Sequence, residues 1–242
     1  MPTTAAFIIH LERATRRSPQ VQRLKDALPM PAEIVPAVDA SAISEPLACH
    51  YDTGLGWTPR YPFSLSQTEI AVFLSHRKAW KRIIASDCEA GLVFEDDVAL
   101  DSDIFPAALA LAQKNLVPGG LIRFPWREYE AKGACVAEAK AVRLIRPRLV
   151  ALGMQAQLVH RDAARKLLEV TDRFDRPVDT VMQLTWKTGV DTLAVVPSGV
   201  SEMDSDLGGT TQSKPMGKGG LLYTEFARAL YRRRIAAASR RV

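Results

Sequence analysis

The 242-residue sequence predicts an α/β fold, a mostly parallel sheet flanked by helices. Short apolar runs of strand length alternate along the chain with segments of helical periodicity, and this order is typical of layered sheets. Acidic residues follow two of the apolar runs, at the strand ends where such sheets bind ligands. A hydrophobic content of 47% and a charged content of 24% are ordinary for a globular domain.

Strands and helices alternate in the N-terminal part of the chain. Residues 6–11 form a predicted strand, and a helix over residues 21–28 ends before Pro29, which cannot continue it. Residues 33–35 form a short second strand. The stretch 45–65 contains Pro, Gly, Tyr and Trp without periodicity, which indicates an irregular loop.

The clearest helix prediction covers residues 67–85. Ser66 and Glu69 have the spacing of a capping box, in which each side chain caps a backbone N–H of the other residue. The apolar residues that follow fall on one helical arc; they are Ile70, Phe73, Leu74, Trp80 and Ile84. The apolar run Gly91–Phe94 then predicts a buried strand.

The second half of the chain repeats the alternation. Predicted helices cover residues 107–114, 161–170 and 178–188. Predicted strands cover residues 121–124, 142–145, 150–152, 155–160 and 192–196. One domain is therefore expected over residues 1–203. Residues 204–220 are rich in Gly, Ser, Thr and Lys, which indicates a flexible linker before a helix over residues 221–242.

Three acidic residues, Glu95, Asp96 and Asp97, directly follow the predicted strand over residues 91–94. Side chains alternate in an extended chain, so Glu95 and Asp97 are expected to face the same way. Two like charges held close together are costly unless a positive charge lies between them. A hard divalent cation, Mg²⁺ or Mn²⁺, prefers oxygen ligands and commonly brings a phosphate-bearing substrate. The alternative interpretation is a solvated acidic turn, because further aspartates follow nearby.

The net charge of +5 is concentrated at the C-terminus. Residues 214–242 contain eight Lys or Arg and one Glu, whereas residues 1–213 contain 24 basic and 26 acidic residues. The main domain is therefore nearly neutral. This distribution argues against a nucleic-acid-binding domain, which would carry basic residues on its folded face.

Cysteine use and hydropathy favour a cytoplasmic location. The three cysteines are an odd number without a Cys-x-x-Cys pair, which argues against a disulfide framework and a structural zinc site. No apolar stretch approaches the length of a transmembrane helix. The N-terminal apolar run Phe7–Ile9 is too short for the core of a secretory signal.

The C-terminal segment, residues 221–242, predicts a basic amphipathic helix. Leu222, Phe226 and Leu230 are four residues apart, whereas Arg228 and Arg232 lie away from them, and four further arginines add positive charge. Such a helix can lie on an anionic membrane surface, where each basic residue contributes about 1 kcal/mol. This interpretation places the protein at the inner face of a membrane. The alternative is a solvated helix that packs on the domain.

Five short motifs stand in a fixed order along the chain. They are Ile8–Arg13 with Arg16 and Arg17 after it, Ala37–Asp39, Leu65–Trp80, Leu92–Asp97 and Pro177–Asp179. Together they resemble glycosyltransferase family 25, the lipopolysaccharide-type glycosyltransferases, across about residues 5–200. The most specific feature is the combination of Ser75-His76 on a helix with Glu95 at a strand end 19 residues after His76.

The resemblance implies a GT-A-like fold, one α/β domain that binds a nucleotide sugar. It implies transfer of a hexose, often galactose or glucose, from a UDP-sugar donor to a glycan acceptor such as lipopolysaccharide or another lipid-linked glycan. It further implies inversion at the anomeric carbon and a divalent cation, Mn²⁺ or Mg²⁺, at the acidic strand end. The alternative from another class is a glycosyltransferase-like module that binds nucleotide sugar or glycan without turnover.

The resemblance also implies roles for individual residues. Glu95 and Asp97 would bind the cation. Asp179 is the candidate catalytic base because it lies in the Pro-Val-Asp motif, with an ordinary helix N-terminal acid as the alternative. The candidate substrate contacts are Leu11, Arg13, Asp39, Glu69, Ser75, His76 and, at backbone or a ribose, Asp96. Glu69 has a structural alternative in the capping box, and Arg17, which can bind phosphate, has one as a solvated loop residue.

Overall fold

The computed structural model describes residues 1–43, 49–128, 132–203 and 218–239, with side chains in the last segment from Thr224 onward. Its strands are β1 (Thr4–His10), β2 (Ala32–Pro36), β3 (Ala90–Glu95), β4 (Val98–Leu100), β5 (Gly120–Arg123), β6 (Gly133–Ala139), β7 (Val142–Pro147), β8 (Ala156–His160), β9 (Asp191–Val196) and β10 (Val200–Glu202). Its α-helices are α1 (Ser18–Ala27), α2 (Gln67–Ala85), α3 (Phe105–Asn115), α4 (Arg161–Val170), α5 (Val178–Met182), α6 (Thr185–Thr188) and α7 (Lys218–Ser239). Short 3-10 helices are Thr15–Arg17 and Ala40–Ala42.

Eight of the described strands form one sheet in the order β2-β1-β3-β8-β5-β9-β7-β6. Six of the eight run in one direction, and β8 and β7 run the other way. The predicted α/β fold, a mostly parallel sheet flanked by helices, is therefore confirmed. β4 and β10 pair as a separate antiparallel ribbon. Because β1, β3 and β5 run the same way, their carboxyl ends meet at one edge of the sheet.

Both faces of β3 are buried, which explains its continuous apolar run. Leu92 and Phe94 pack in a cluster that includes residues of α1 and α3. Val93 packs in the cluster on the other side, with residues of α2 and α4. Strand side chains alternate, so Glu95 continues the face of Val93, and Asp96 is the next residue on the side of Phe94. The acidic residues therefore follow a strand that has helices packed on both of its faces.

The structure differs from the prediction in several elements. β6 lies at the sheet edge and is exposed along most of its length, so it lacks the apolar pattern that identifies a strand. Residues 150–152 are irregular rather than a strand. The predicted helix over residues 178–188 is two short helices, α5 and α6. Gly189 ends α6 in the left-handed conformation, with φ of 61°.

The C-terminal helix α7 begins at Lys218, within the segment predicted as a linker. The rest of that segment, residues 204–217, lies outside the described residues, as do residues 240–242. None of the described helices combines the length and the apolar character needed to cross a bilayer.

Helix α7 packs on the domain, as the alternative interpretation of this segment predicted. Tyr231 and Ile235 are buried and pack with Leu184. The Tyr231 ring lies edge-on to Tyr61, with 5.3 Å between the ring centroids. The Tyr231 hydroxyl accepts a hydrogen bond of 2.9 Å from Nη1 of the buried Arg176. A polar anchor and an apolar contact therefore hold the helix in place.

The face of α7 that packs on the domain is not the stripe that the sequence predicted. Phe226 is 69% exposed and Leu230 is 39% exposed, so these two residues face outward. The buried positions are Thr224, Tyr231 and Ile235, which lie on the other side of the helix. The side chain of the third predicted residue, at position 222, lies outside the described part of the chain.

Candidate functional site

An acidic cluster lies where β3 ends. Glu95 is the last residue of the strand, and Asp96 and Asp97 form a turn before β4. The Glu95 N–H donates to the Gln155 carbonyl at 2.9 Å, and the Met203 N–H donates to the Asp97 carbonyl at 2.8 Å. Asp96 and Asp97 are only 6% and 8% exposed, so the alternative of a solvated acidic turn is wrong.

Both carboxylate oxygens of Asp96 have partners. Nδ1 of His10 lies 2.7 Å from Oδ2, and Nη1 of Arg17 donates to Oδ1 at 2.6 Å. The parallel pairing of β1 and β3 aligns Ile9 with Glu95, which brings His10 next to Asp96. The Asp96 carboxylate thus contacts two basic side chains rather than backbone, and its expected contact with a ribose stays a prediction.

Asp97 is the least satisfied residue of the cluster. Its Oδ2 accepts a hydrogen bond of 3.1 Å from Arg17 Nη1, whereas its Oδ1 is buried and has no hydrogen-bond partner among the described residues. Burial and the charge of Glu95 raise the pKa of Asp97 to about 7, although the positive charge of Arg17 acts in the opposite direction. Arg17 therefore offsets only part of the cost of ionising this buried carboxyl group.

The expected alternation of side chains stops at Glu95, because the chain turns there. Asp97 consequently shares Arg17 with Asp96, whereas Glu95 contacts His76 on α2. The extended chain through Asp97, which the expectation about these two side chains assumed, is therefore replaced by a turn. The two side chains are nevertheless close enough for Glu95 to raise the pKa of Asp97.

His76 orients Glu95 from the facing helix. His76 is 1% exposed, and its Nε2 lies 3.0 Å from Glu95 Oε1. The Gln157 amide nitrogen lies 3.4 Å from the other ring nitrogen, Nδ1. An amide nitrogen can only donate, so Nδ1 accepts and Nε2 carries the proton that it donates to Glu95. The two contacts hold the His76 ring between Glu95 and Gln157.

The acidic cluster has the chemistry that a hard cation requires. Glu95 and Asp97 supply carboxylate oxygens, and the buried Oδ1 of Asp97 has no hydrogen-bond partner among the described residues. No group of three or more His, Cys, Asp or Glu residues in the described part of the chain could hold a metal ion by itself. Magnesium-type sites commonly use one or two carboxylates and complete the coordination with substrate phosphate and water. The residues present fit such a shared site.

Asp179 lies near the same end of the sheet. Its Oδ2 accepts from the Gly153 N–H at 3.1 Å, and its Oδ1 accepts from the Thr180 hydroxyl at 3.2 Å. The buried Arg123 at the end of β5 experiences the negative charge of both Asp179 and Glu95. Burial lowers the pKa of Arg123 to about 10, and the two acids act against that effect. Arg123 donates to the carbonyls of Ala151 and Gly153, and Gly153 is the residue whose N–H donates to Asp179.

Arg13 and Asp39 form a pair beside the ends of β1 and β2. Arg13 Nε donates to Asp39 Oδ2 at 2.5 Å, and the Ser41 N–H donates to Oδ1 at 2.9 Å. These hydrogen bonds lower the pKa of Asp39 to about 2. Leu11 follows β1, and its carbonyl accepts from the Ala14 N–H at 2.7 Å. The role of these residues in substrate binding remains a prediction.

Glu69 and Ser75 have structural contacts on α2. Glu69 Oε2 accepts from the Ser66 N–H at 2.7 Å, and the Glu69 N–H donates to Ser66 Oγ at 3.2 Å, so the predicted capping box is confirmed. Ser75 Oγ accepts from the Val38 N–H at 2.8 Å and donates to the Ala71 carbonyl at 2.7 Å. Ser75 therefore joins α2 to the segment that carries Asp39.

No sequence pattern singled out Arg123 or Gln157 as a site residue. The two residues are paired across β5 and β8, and Gln157 is paired with Val93 of β3. Both side chains are buried, and the Gln157 Oε1 has no partner among the described residues. The available signal was a polar residue inside a short apolar run, which is rare unless the side chain is bonded or functional.

A separate cavity of about 310 Å³ lies near the end of β7 and the beginning of β9. Its lining includes Arg146, Arg148 and Asp191. Asp191 is aligned with Gly120 at the beginning of β5. The cavity is therefore at the opposite edge of the sheet from Glu95, and none of the predicted site residues lines it.

Known proteins with similar sequences carry glycosyltransferase descriptions. A "Glycosyltransferase 25 family member" from Anopheles gambiae is 34% identical over 100 residues, 39% of this chain and 17% of that protein. "Procollagen galactosyltransferase 2" from Homo sapiens is 35% identical over 100 residues, 39% of this chain and 16% of that protein. A "Probable inactive glycosyltransferase 25 family member 3" from Rattus norvegicus is 29% identical over 102 residues, 40% of this chain and 18% of that protein. The aligned segment thus spans less than a fifth of each relative.

A solved structure also resembles this chain. The galactosyltransferase LgtC, in complex with donor and acceptor sugar analogs, has a TM-score of 0.42 and 12% sequence identity. That alignment covers 93% of this chain and 95% of LgtC. The sequence profile of glycosyltransferase family 25 (LPS biosynthesis protein) matches residues 3–182. Because this match includes most of the domain and the whole acidic cluster, the chain belongs to glycosyltransferase family 25.

Proposed function

We propose that this glycosyltransferase transfers a hexose, galactose or glucose, from a UDP-sugar donor to lipopolysaccharide or another lipid-linked surface glycan. Membership of family 25 supports the reaction class. One observation carries the rest of the proposal: the buried Oδ1 of Asp97 has no hydrogen-bond partner among the described residues, and the charge of Glu95 adds to the rise in the pKa of Asp97. A site that leaves a carboxylate underneutralised is suited to a cation that arrives with a diphosphate.

Glu95 and Asp97 would hold the cation, Mn²⁺ or Mg²⁺. A bound cation would supply positive charge against the negative charge that develops on the departing UDP diphosphate. His76 keeps Glu95 in place with its hydrogen bond of 3.0 Å. The backbone bonds of Glu95 and Asp97 fix the positions of both residues before the donor binds.

Asp179 is proposed as the catalytic base. Its carboxylate accepts the proton of the acceptor hydroxyl while the acceptor oxygen forms a bond to the anomeric carbon. The bond from that carbon to the diphosphate oxygen breaks, and UDP leaves with the electron pair. The Gly153 N–H and the Thr180 hydroxyl hold Asp179 in position. Attack on the face opposite to UDP inverts the anomeric configuration.

Donor turnover tests the proposed reaction. Release of UDP from UDP-galactose and UDP-glucose is expected in the presence of Mn²⁺, and Asp97→Asn is expected to abolish it because a neutral amide is a poorer cation ligand. The control is Asp103→Asn, an exposed aspartate in the loop before α3. Equal turnover by wild type and Asp97→Asn would remove the role assigned to the acidic cluster.

The stereochemistry of the product tests the role of Asp179. Proton NMR of the glycosylated acceptor reports the anomeric configuration from the coupling constant at C1. Inversion by the wild type, together with loss of transfer in Asp179→Asn, supports Asp179 as the catalytic base. Retained configuration would exclude the mechanism in which Asp179 activates a direct attack.

The second candidate function is a module that binds a nucleotide sugar without turnover. The relative from Rattus norvegicus is described as probably inactive, and this description is the reason to consider the alternative. The acidic cluster of this chain argues against it, because a binding module does not require a cation at the leaving group. Binding of UDP-galactose or UDP-glucose in calorimetry without any Mn²⁺-dependent UDP release would favour the module.

The outward face of α7 is proposed as a contact with an anionic membrane, which would place the protein at the inner face of a membrane beside a lipid-linked acceptor. Phe226 and Leu230 are exposed on this face, and Arg232, Arg233 and Arg234 are exposed as well. Exposed apolar side chains next to arginines match an anionic lipid surface. Because Tyr231 and Ile235 hold the other face of α7, the contact would orient the domain on the membrane.

Vesicle sedimentation tests the membrane contact. Binding to phosphatidylglycerol vesicles is expected to decrease with salt and to exceed binding to phosphatidylcholine vesicles. Neutralising Arg232, Arg233 and Arg234 with glutamine is expected to weaken binding about 100-fold, at about 1 kcal/mol for each charge. Val136→Ser is the control, because Val136 is 49% exposed on β6. Unchanged sedimentation of the triple variant would remove the proposal.

A further inference from the structure

Arg17 occupies the space between two of the acids. It is the last residue of the 3-10 helix Thr15–Arg17, which precedes α1, and its side chain is 23% exposed. Its Nη1 donates to Asp96 Oδ1 at 2.6 Å and to Asp97 Oδ2 at 3.1 Å. One guanidinium nitrogen therefore contacts two carboxylates at the end of β3.

The two contacts of Arg17 differ in strength. Asp96 is also held by His10, so both of its oxygens are occupied. Asp97 accepts the longer of the two bonds, and its other oxygen is buried without a partner among the described residues. The contact with Asp97 can therefore break while Arg17 remains anchored on Asp96.

A divalent cation held by Glu95 and Asp97 would compete with Arg17 for the same carboxylate. Two positive charges repel each other strongly in a site that is shielded from water. A cation that binds without a nucleotide must therefore displace Arg17 from Asp97. A diphosphate changes this balance, because it offers the guanidinium an anionic partner with two acceptor oxygens.

We propose that Arg17 is a positioning residue that substitutes for the cation in the donor-free enzyme. Its guanidinium offsets part of the charge of Asp97 before the donor binds and moves to the donor diphosphate when cation and UDP-sugar bind together. This inference rests on the proposed function, because it requires Glu95 and Asp97 to hold the cation. It couples the binding of the cation to the binding of the nucleotide, and this coupling is reciprocal.

Binding of Mn²⁺ without turnover tests the inference. Electron paramagnetic resonance of free Mn²⁺ gives the affinity with and without UDP for wild type, Arg17→Gln and the control Arg16→Gln, whose arginine is exposed and outside the cluster. In the wild type, UDP is expected to tighten Mn²⁺ binding about tenfold or more. Arg17→Gln is expected to bind Mn²⁺ alone about tenfold more tightly and to lose most of the effect of UDP.

Two results would overturn the inference. One is an Arg17→Gln protein with the Mn²⁺ affinity and the UDP effect of the wild type. The other is an Arg17→Lys protein in which UDP tightens Mn²⁺ binding as much as in the wild type, because a lysine cannot bind the diphosphate bidentately. This second result decides the question if Arg17→Gln does not fold without a metal.

Failure of the inference and failure of the proposed function are distinguishable. Mn²⁺ binding that is lost in Asp97→Asn but unaffected by Arg17→Gln refutes only the role of Arg17. Mn²⁺ binding that is the same in wild type and Asp97→Asn, with and without UDP, refutes the cation site itself.

Discussion

Replacing Asp97 with asparagine is expected to stabilise the donor-free protein at neutral and alkaline pH. Asp97 is buried, and burial together with Glu95 raises its pKa from 3.8 to about 7, against the effect of Arg17. A carboxyl whose pKa is higher in the folded state than in the unfolded state destabilises the fold when it ionises. A difference of about three pH units corresponds to roughly 4 kcal/mol at pH 8.

The direction of the pH dependence follows from the proton binding of the two states. Well below pH 3.8 Asp97 is protonated in both states, and the destabilisation is absent. As the pH rises further, the unfolded chain releases the proton first, so stability falls until the folded protein also ionises near pH 7. The advantage of Asp97→Asn is therefore expected to grow from about 2 kcal/mol at pH 5 to about 4 kcal/mol at pH 8.

Urea unfolding in EDTA, followed by circular dichroism at pH 5 and pH 8, measures this difference. The m value should be unchanged, so that the midpoint reports stability alone. Asp103→Asn is the control, and its stability is expected to remain within about 0.5 kcal/mol of the wild type. An Asp97→Asn protein that is equal to or less stable than the wild type at pH 8 would refute the reasoning.

Adding Mn²⁺ and UDP is expected to reduce or reverse the difference between the two proteins. The wild type gains stability by binding both ligands, whereas Asp97→Asn lacks one of the proposed cation ligands and gains little. The melting temperature of each protein with and without both ligands gives the comparison. This result would show that Asp97 lowers the stability of the donor-free fold in exchange for cation binding.

Three further variants test the fold around the site. Ser66→Ala removes the capping box of α2 and is expected to lower stability by about 1 kcal/mol in urea unfolding, while the exposed Ser64→Ala has little effect. Gly91→Ala places a Cβ 2.3 Å from Ile83 Cγ1, so a loss of about 1–3 kcal/mol is expected; an additional Ile83→Ala that gives no recovery would contradict the steric explanation. Ile235→Ala is expected to weaken the packing of α7 on the domain by about 2–5 kcal/mol and to speed tryptic cleavage within α7. The same acceleration in Leu230→Ala, at an exposed position, would exclude specific docking of the helix.

Local sequence patterns were sufficient for β1, α2, β3 and the acids that follow β3. The capping box of Ser66 and Glu69 depends on residues within one helical turn, so it is visible in the sequence. The apolar run before Glu95 is also local, because it lies within a few consecutive residues, and it identifies a strand buried on both faces. The edge strand β6 carries no such pattern, because most of its side chains face solvent. Those patterns also located the acidic cluster at the edge where parallel strands end.

The contacts that define the site required the tertiary structure. Arg17 and Asp97 are 80 residues apart in sequence, and no local pattern indicates that they meet. Arg123 and Gln157 lie inside short strands whose apolar neighbours gave no indication of their position behind the acidic cluster. Helix periodicity marked Phe226 as part of an apolar stripe, but the domain surface around Arg176 binds the face with Tyr231 instead. A sequence specifies which faces of an element are apolar or charged, whereas burial and the pKa of Asp97 depend on which distant surface each face meets.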